Sequence, residues 1–123
     1  MKIDLEIIKT IEKSSKIHSG ICKICIYNKL DRDNAIELGT ILQTLIQGGI
    51  TKIVFDLGEL KYVDSTGIGR IITITKYLRK IKGDVTITRC SPHLMEVFRL
   101  VRLENFIKIF DSYEQGLNYI KFI

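Results

Sequence analysis

The stretch Val63-Asp64-Ser65-Thr66-Gly67-Ile68-Gly69-Arg70 brings together a carboxylate, two adjacent hydroxyls and two glycines where a β-branched run gives way to an apolar-periodic segment. A serine at such a strand-to-helix turn has three chemical uses. It can cap the helix by accepting from backbone N–H groups, worth about 1 kcal/mol. It can serve as a nucleophile if a general base stands beside it. It can also be a hydroxyl that another enzyme modifies. A cap, supplied by Ser65 or by Asp64, asks least of the rest of the chain.

Catalysis asks more. The chain has two histidines, His18 and His93. The first falls in "SSKIHSG", which reads as a hairpin loop, and the second in the first turn of a helix beside Pro92. Neither is close to Ser65 in sequence, and G-x-S-x-G is absent because Val63 precedes Ser65 by two. Phosphate binding fits no better: Ile72 stands where G-x-G-x-x-G needs its third glycine, no G-K-[ST] occurs, and the Asp64 carboxylate would repel a nucleotide phosphate. Cys22 and Cys25 have C-x-x-C spacing, but "GICKICIY" reads as a strand, where residues three apart point to opposite faces. A redox motif would need a helix N-terminus. The expectation is therefore a chain that is not an enzyme and holds no cofactor or metal.

Modification suits Ser65 chemically. A phosphate on a helix N-terminal hydroxyl would sit beside unpaired N–H groups and the positive dipole end, so the fold tolerates it. A partner docked over the turn would instead meet new bulk and about −1.5 to −2 of added charge, next to Asp64. The fold could stay while the interaction ends.

Positioning that turn requires alternating elements. Residues 3–12 read as a first strand and 20–27 as a second, with 28–31, "NKLD", as a turn ending in a capping position. A helix over 34–47 carries Leu38, Ile41, Leu42, Leu45 and Ile46 inward and stops at Gly48-Gly49. A buried strand follows at 52–57, then a helix over 66–82 with Ile68, Ile71, Ile72 and Leu78 inward. The run 84–88 is another strand. Ser91-Pro92 opens a third helix through an N-cap and N1 proline, with Leu94, Val97, Phe98 and Val101 as its buried face. A short strand near 106–109 precedes a capping-box-like Asp111-Ser112-Tyr113-Glu114 and a last helix to about 121. The order ββαβαβαβα predicts an α/β domain with a mixed, mostly parallel five-stranded sheet and four helices, joined by right-handed crossovers.

Composition sets the outer bounds. With 123 residues, one proline and no low-complexity segment, the chain reads as a single domain over 1–123. No stretch approaches a membrane span, and the N-terminus mixes charges into its apolar positions unlike a signal peptide, so the expected location is cytoplasmic. The net charge is +5, but Lys and Arg are spread along the chain without a nucleic-acid-binding signature. Lys76, Arg79, Lys80 and Lys82 gather near a helix C-terminus, where the dipole favours cations.

Taken together, Asp56-Leu57, the element Asp64-Ser65-Thr66-Gly67-Ile68-Gly69 and the downstream Ser91-Pro92 resemble the STAS domain family, and within it the bacterial anti-sigma factor antagonists. The likeness runs from about residue 4 to 120. It implies that Ser65 is the phosphorylation site of a partner anti-sigma factor that is also a serine kinase. It further implies that the unphosphorylated chain binds that partner and frees a sigma factor, and that a PP2C-type phosphatase reverses the modification. By the same resemblance Asp64, Thr66, Gly67, Ile68, Gly69 and Asp31 form the partner-binding set, with close packing of helix and strand as the equal alternative for the two glycines; the chain is monomeric, and neither nucleic acid nor membrane is a direct partner. The alternative is a constitutive scaffold or subunit STAS domain in which the serine only caps a helix.

Three departures stand out. Asn28-Lys29-Leu30-Asp31 replaces a common G-x-L-D, Val101-Arg102-Leu103 replaces S-G-L, and the chain is basic where many antagonists are acidic. Asn28 can adopt the left-handed conformation that the glycine would supply. The loss of the second glycine removes a C-cap, from which a lengthened or a re-aimed end of the third helix is expected.

Overall fold

The computed structural model describes the backbone of residues 2–13 and 17–123 and the side chains of residues 3–6 and 20–123. In chain order the elements are β1 (Lys2–Lys13), β2 (Ile17–Leu30), α1 (Arg32–Gln47), β3 (Ile50–Asp56), β4 (Leu60–Val63), α2 (Ser65–Lys80), β5 (Asp84–Thr88), α3 (Pro92–Leu100), a 3-10 turn (Leu103–Asn105), β6 (Lys108–Phe110) and α4 (Tyr113–Lys121). The sheet runs β1-β2-β3-β5-β6. Only β1 pairs antiparallel; β2 with β3, β3 with β5 and β5 with β6 are parallel. The expected mixed, mostly parallel sheet with four helices is what forms.

The sheet also holds β4, a strand beyond the five expected. Because β2 is 14 residues long, it pairs twice: Gly20–Cys25 with β3, and Asn28–Leu30 with the short β4. Asn28 sits at φ 66°, at the register shift between the two pairings, and takes the left-handed conformation expected of it. What read as a turn at 28–31 is thus a kinked strand end. His18 likewise lies in β2, paired with Glu12, and not in a loop.

Between β3 and β4 the chain is pinned by Asp56. Its carboxylate accepts the Gly58 N–H at 3.1 Å and pairs with the Arg89 guanidinium at 3.2 Å. Leu57 donates its N–H to the Thr88 carbonyl at 3.0 Å. The Asp56-Leu57 pair therefore ends β3 against β5 and turns the chain toward β4.

Two apolar layers enclose the sheet. Cys22, Ile24 and Ile26 of β2, Ile53 and Phe55 of β3, and Val85 and Ile87 of β5 alternate onto one face. There they meet Leu38 and Leu42 of α1, Ile68, Ile71 and Leu78 of α2, and Leu94 and Phe98 of α3. The opposite face holds Ile21 and Val54 under Ile120 of α4. Gly116 lets α4 approach there, since a Cβ on it would lie 2.3 Å from the Thr88 methyl. Cys22 and Cys25 fall on opposite faces and are free thiols, so C-x-x-C spacing carries no redox pair.

Helix ends differ from the sequence reading in ways with local causes. Helix α2 spans Ser65–Lys80, and Lys82 at φ 66° precedes Gly83, whose missing Cβ leaves room for the Thr51 carbonyl. Arg102, at φ 57°, ends α3 at Leu100 and leaves Val101 half-exposed, outside the buried face expected for it. The last helix is capped by Ser112 and Gln115 in a reciprocal box, one residue beyond the expected Asp111 and Glu114. Ile72, Leu45 and Ile46 are only partly buried at the edge of the core, and Ile41 is likewise only partly buried.

Candidate functional site

Strand β4 and helix α2 deliver the turn at Asp64. The register places Val63 beside Leu30, and the Asp64 N–H donates to the Leu30 carbonyl at 3.2 Å. Asp64, with extended backbone, is the N-cap of α2: its Oδ1 accepts the Gly67 N–H at 2.9 Å. Its Oδ2 accepts the Arg32 N–H, the first of α1, also at 2.9 Å. One carboxylate therefore satisfies orphan donors at the starts of two helices, where the positive dipole ends favour its charge.

Ser65 is consequently not the cap. It is the first residue of α2 and exposed, and its hydroxyl makes no hydrogen bond among the described residues. Thr66 is exposed beside it. Asp31 caps α1 by accepting from Asp33 N–H at 3.0 Å and Asn34 N–H at 3.1 Å, while the Asn34 side chain accepts the Asp31 N–H at 2.8 Å. Asp31, Arg32, Asp33, Tyr62, Asp64 and Thr66 line a shallow depression of about 360 Å³ at the paired helix starts. Three carboxylates and one guanidinium leave it net acidic.

The electrostatics of Asp31 follow from its capping role. Desolvation works against its charge, but the Asn34 N–H, the Lys29 ammonium at 3.5 Å and the Asp33 N–H outweigh it and hold the carboxyl below its ordinary range.

The two glycines of the turn do different things. A Cβ on Gly67 would stand 2.5 Å from the Leu30 carbonyl oxygen and 3.0 Å from a Val63 methyl, so this glycine lets α2 close on the end of β2. Around Gly69 there is nothing within 4 Å of that position, and its φ is not left-handed. A glycine inside a helix costs roughly 0.5–1 kcal/mol relative to alanine, and at Gly69 no contact within the chain offsets that cost. Ile68 is 6% exposed and belongs to the core. Gly67 is covered as well. The packing of α2 on β2 holds both inward: Gly67 takes the close-packing role that was its alternative, and Ile68, expected to face a partner, is part of the core.

The remaining reactive groups lie elsewhere. His93 is exposed on α3 and lines a separate depression with Cys90, Glu96, Arg99 and Asp111. The backbone of His18 is twelve positions down β2 from Leu30, on the order of 40 Å at strand rise. No histidine lines the depression beside Ser65. The Cys90 thiol is pushed up to about 12, by burial first and then by the Asp56 carboxylate. Among the described residues no cluster of His, Cys, Asp and Glu could hold a metal ion, and no helix is long and apolar enough to cross a membrane.

A six-stranded mixed sheet with its helix-start turn at the end of β4 defines a class. The STAS domain profile matches residues 12–116, and the chain belongs to that family. A relative in Bordetella bronchiseptica, BtrV, named as an anti-sigma factor antagonist, is 30% identical over 91 residues, 74% of this chain and 76% of that protein. The structure also resembles the anti-sigma factor antagonist SpoIIAA in its unphosphorylated form, with TM-score 0.73 and 19% identity over 99% of this chain and 100% of that one. The phosphorylated form of SpoIIAA from Bacillus gives TM-score 0.65 at 19% identity, covering 95% and 99% of the two chains. At that identity the solved structures speak for the fold.

Proposed function

We propose that this protein is an anti-sigma factor antagonist switched at Ser65. Unphosphorylated, it binds an anti-sigma factor that is also a serine kinase and so releases a sigma factor in the cytoplasm. Phosphorylation of Ser65 ends that binding, and a PP2C-type phosphatase restores it. The chain itself catalyses nothing in this scheme.

The observation that carries the reading is the division of labour between neighbours: Asp64 does the capping, which leaves the Ser65 hydroxyl exposed and without a structural task. The acidic depression beside it explains how the switch would act. Asp31, Asp33 and Asp64 already concentrate negative charge there, and a phosphate would add about −1.5 to −2 more. A partner surface that matches the unmodified turn would then meet excess charge and bulk at its centre. Asp31, Asp64, Thr66 and Gly69 are the residues that such a partner would touch, with Ile68 and Gly67 supporting them from beneath.

Phosphopeptide mapping of the protein from its native cells, in growth and under stress, tests the switch. Condition-dependent phosphate on Ser65 is the expected result. Its absence in every condition, with the peptide otherwise well covered, would sink the reading.

A further inference from the structure

Helix α1 carries a glycine, Gly39, in its interior. Glycine there is destabilising relative to alanine, so its presence needs a local cause. The cause is Arg70 of α2. A Cβ on Gly39 would stand 3.1 Å from both Cζ and Nη1 of the Arg70 guanidinium and 3.3 Å from its Nε. Three atoms of the group are thus almost equally far from one point above α1, the geometry of a plane lying flat over the helix. Its N–H edge points sideways. No hydrogen bond or ion pair engages Arg70 among the described residues, so its five donors are unused by the chain.

Arg70 forms one wall of a groove of about 360 Å³ between α1 and α2. Ile46 of α1 and Ile74 and Tyr77 of α2 supply apolar walls, and Tyr77 is 49% exposed. The other polar side chains on it, Gln43, Gln47 and Thr73, are uncharged, so Arg70 is the only charged group among the lining residues. A guanidinium beside apolar walls is suited to one planar carboxylate, which it can hold through two parallel bonds. A dianionic phosphate would call for a second cation, and the lining has none. The volume lies at the lower end of the roughly 300–1,000 Å³ of small-molecule sites.

We infer that this groove binds a small free organic acid, one carboxylate joined to a medium-length apolar chain or an aromatic body. Arg70 holds the carboxylate, and the body lies along Ile46, Ile74 and Tyr77. Gly39 is the seat that lets the guanidinium lie flat and present its donors to the groove. The site does not depend on the state of Ser65, and the two readings stand or fall separately. Arg70 nonetheless lies only five residues beyond Ser65, about 7.5 Å along the axis of α2, so an occupied groove adjoins the turn.

Titration of the isotope-labelled full chain with octanoate, hydrocinnamate, octanol or acetate, followed by NMR, tests the site. At least one of the two larger acids should saturate with a Kd below about 1 mM and shift the amides of Gly39, Thr73 and Tyr77. Octanol lacks the charge and acetate lacks the body, and each should bind about tenfold or more weakly. Arg70→Gln should cost about tenfold or more, the scale of a lost charge-assisted pair. Gly39→Ala should melt no lower than wild type yet bind the acid several-fold more weakly, because the methyl takes the guanidinium's seat. The control Arg99→Gln on α3 should stay within about twofold of wild type. Melting curves establish that each variant is folded. No saturation by either larger acid, shifts centred on other elements, or equal affinity in wild type and Arg70→Gln overturns the inference. Sedimentation supplies one more outcome: a wild-type dimer that Tyr77→Ala turns into monomer would assign the groove to a second copy of this chain and overturn it.

Discussion

Asp64 and Arg32 are joined by a 2.9 Å bond from the Arg32 N–H to the Asp64 carboxylate, across 32 positions of sequence. The same carboxylate closes the first turn of α2 through Gly67. The starts of α1 and α2 therefore share one acceptor, and what disturbs it disturbs both.

Replacing Asp64 should accordingly cost more than an ordinary cap. Asp64→Ala leaves two helix-start donors without an acceptor, and the expected loss is about 2 kcal/mol, the upper end for a single cap. Asp64→Asn keeps one good acceptor and should lose less. Urea denaturation of the three proteins measures the order, and equal midpoints would contradict the shared cap.

The two glycines of the turn should respond to alanine with opposite signs. Gly67→Ala drives a methyl into the Leu30 carbonyl and should destabilise by about 1–3 kcal/mol, as overpacking does. Gly69→Ala meets open space and should stabilise by about 0.5–1 kcal/mol. Thermal midpoints that move in the same direction would show that the two positions are not distinguished by packing.

Acid should loosen the start of α1. The Asp31 carboxyl is depressed in the folded state, so its contribution is fully present above the unfolded carboxylate value of about 3.9 and is lost as pH falls through the lower folded value. Asp31→Asn removes that titration. Stability measured from about pH 5 down to about pH 2 should fall less steeply in the variant, and parallel curves would contradict it.

Thiol chemistry should be suppressed until the chain unfolds. Burial raises Cys22 and Cys25 and pushes Cys90 up to about 12, so at pH 8 the Cys90 thiolate fraction is on the order of 10⁻⁴. A disulfide-exchange reagent should react slowly with the native protein and quickly with the protein in denaturant. A fast-reacting native thiol would place one of the three in a different environment.

Most of the architecture was legible because each element carries its own period and its own stop. The helix over Pro92–Leu100 shows this, with Ser91 accepting the Leu94 N–H at 3.2 Å as an N-cap should. What stayed hidden depends on distant partners. Asp64 and Ser65 are both good caps by residue type, and only the fold shows Asp64 in the N-cap place, held by the Leu30 carbonyl and bonded by the Arg32 N–H, both far off in sequence. Strand β4 is four residues long, with only its first and last buried, too short to show a period. At the last helix Asp111 with Glu114 and Ser112 with Gln115 share one spacing, and the backbone uses the second pair. Gly67 and Gly69 are the same letter twice, and only the position of Leu30 separates them. The Ser65 turn was thus visible as a place, whereas the distribution of tasks among its residues was not.

The pairing of β4 with the end of β2 reaches from Asn28 to Val63 and brings together segments that a nascent chain makes well apart in time. A short peptide containing Asp64-Ser65-Thr66 would have the letters of the turn without its shape, since the Leu30 carbonyl and the Arg32 N–H that fix it would be missing. An enzyme that reads the shape would ignore such a peptide and would also pass over any copy of the chain whose sheet had not closed. Under the proposed switch, an enzyme that reads this shape would write its signal at Ser65 only on finished molecules, and the fold would act as its own certificate of assembly.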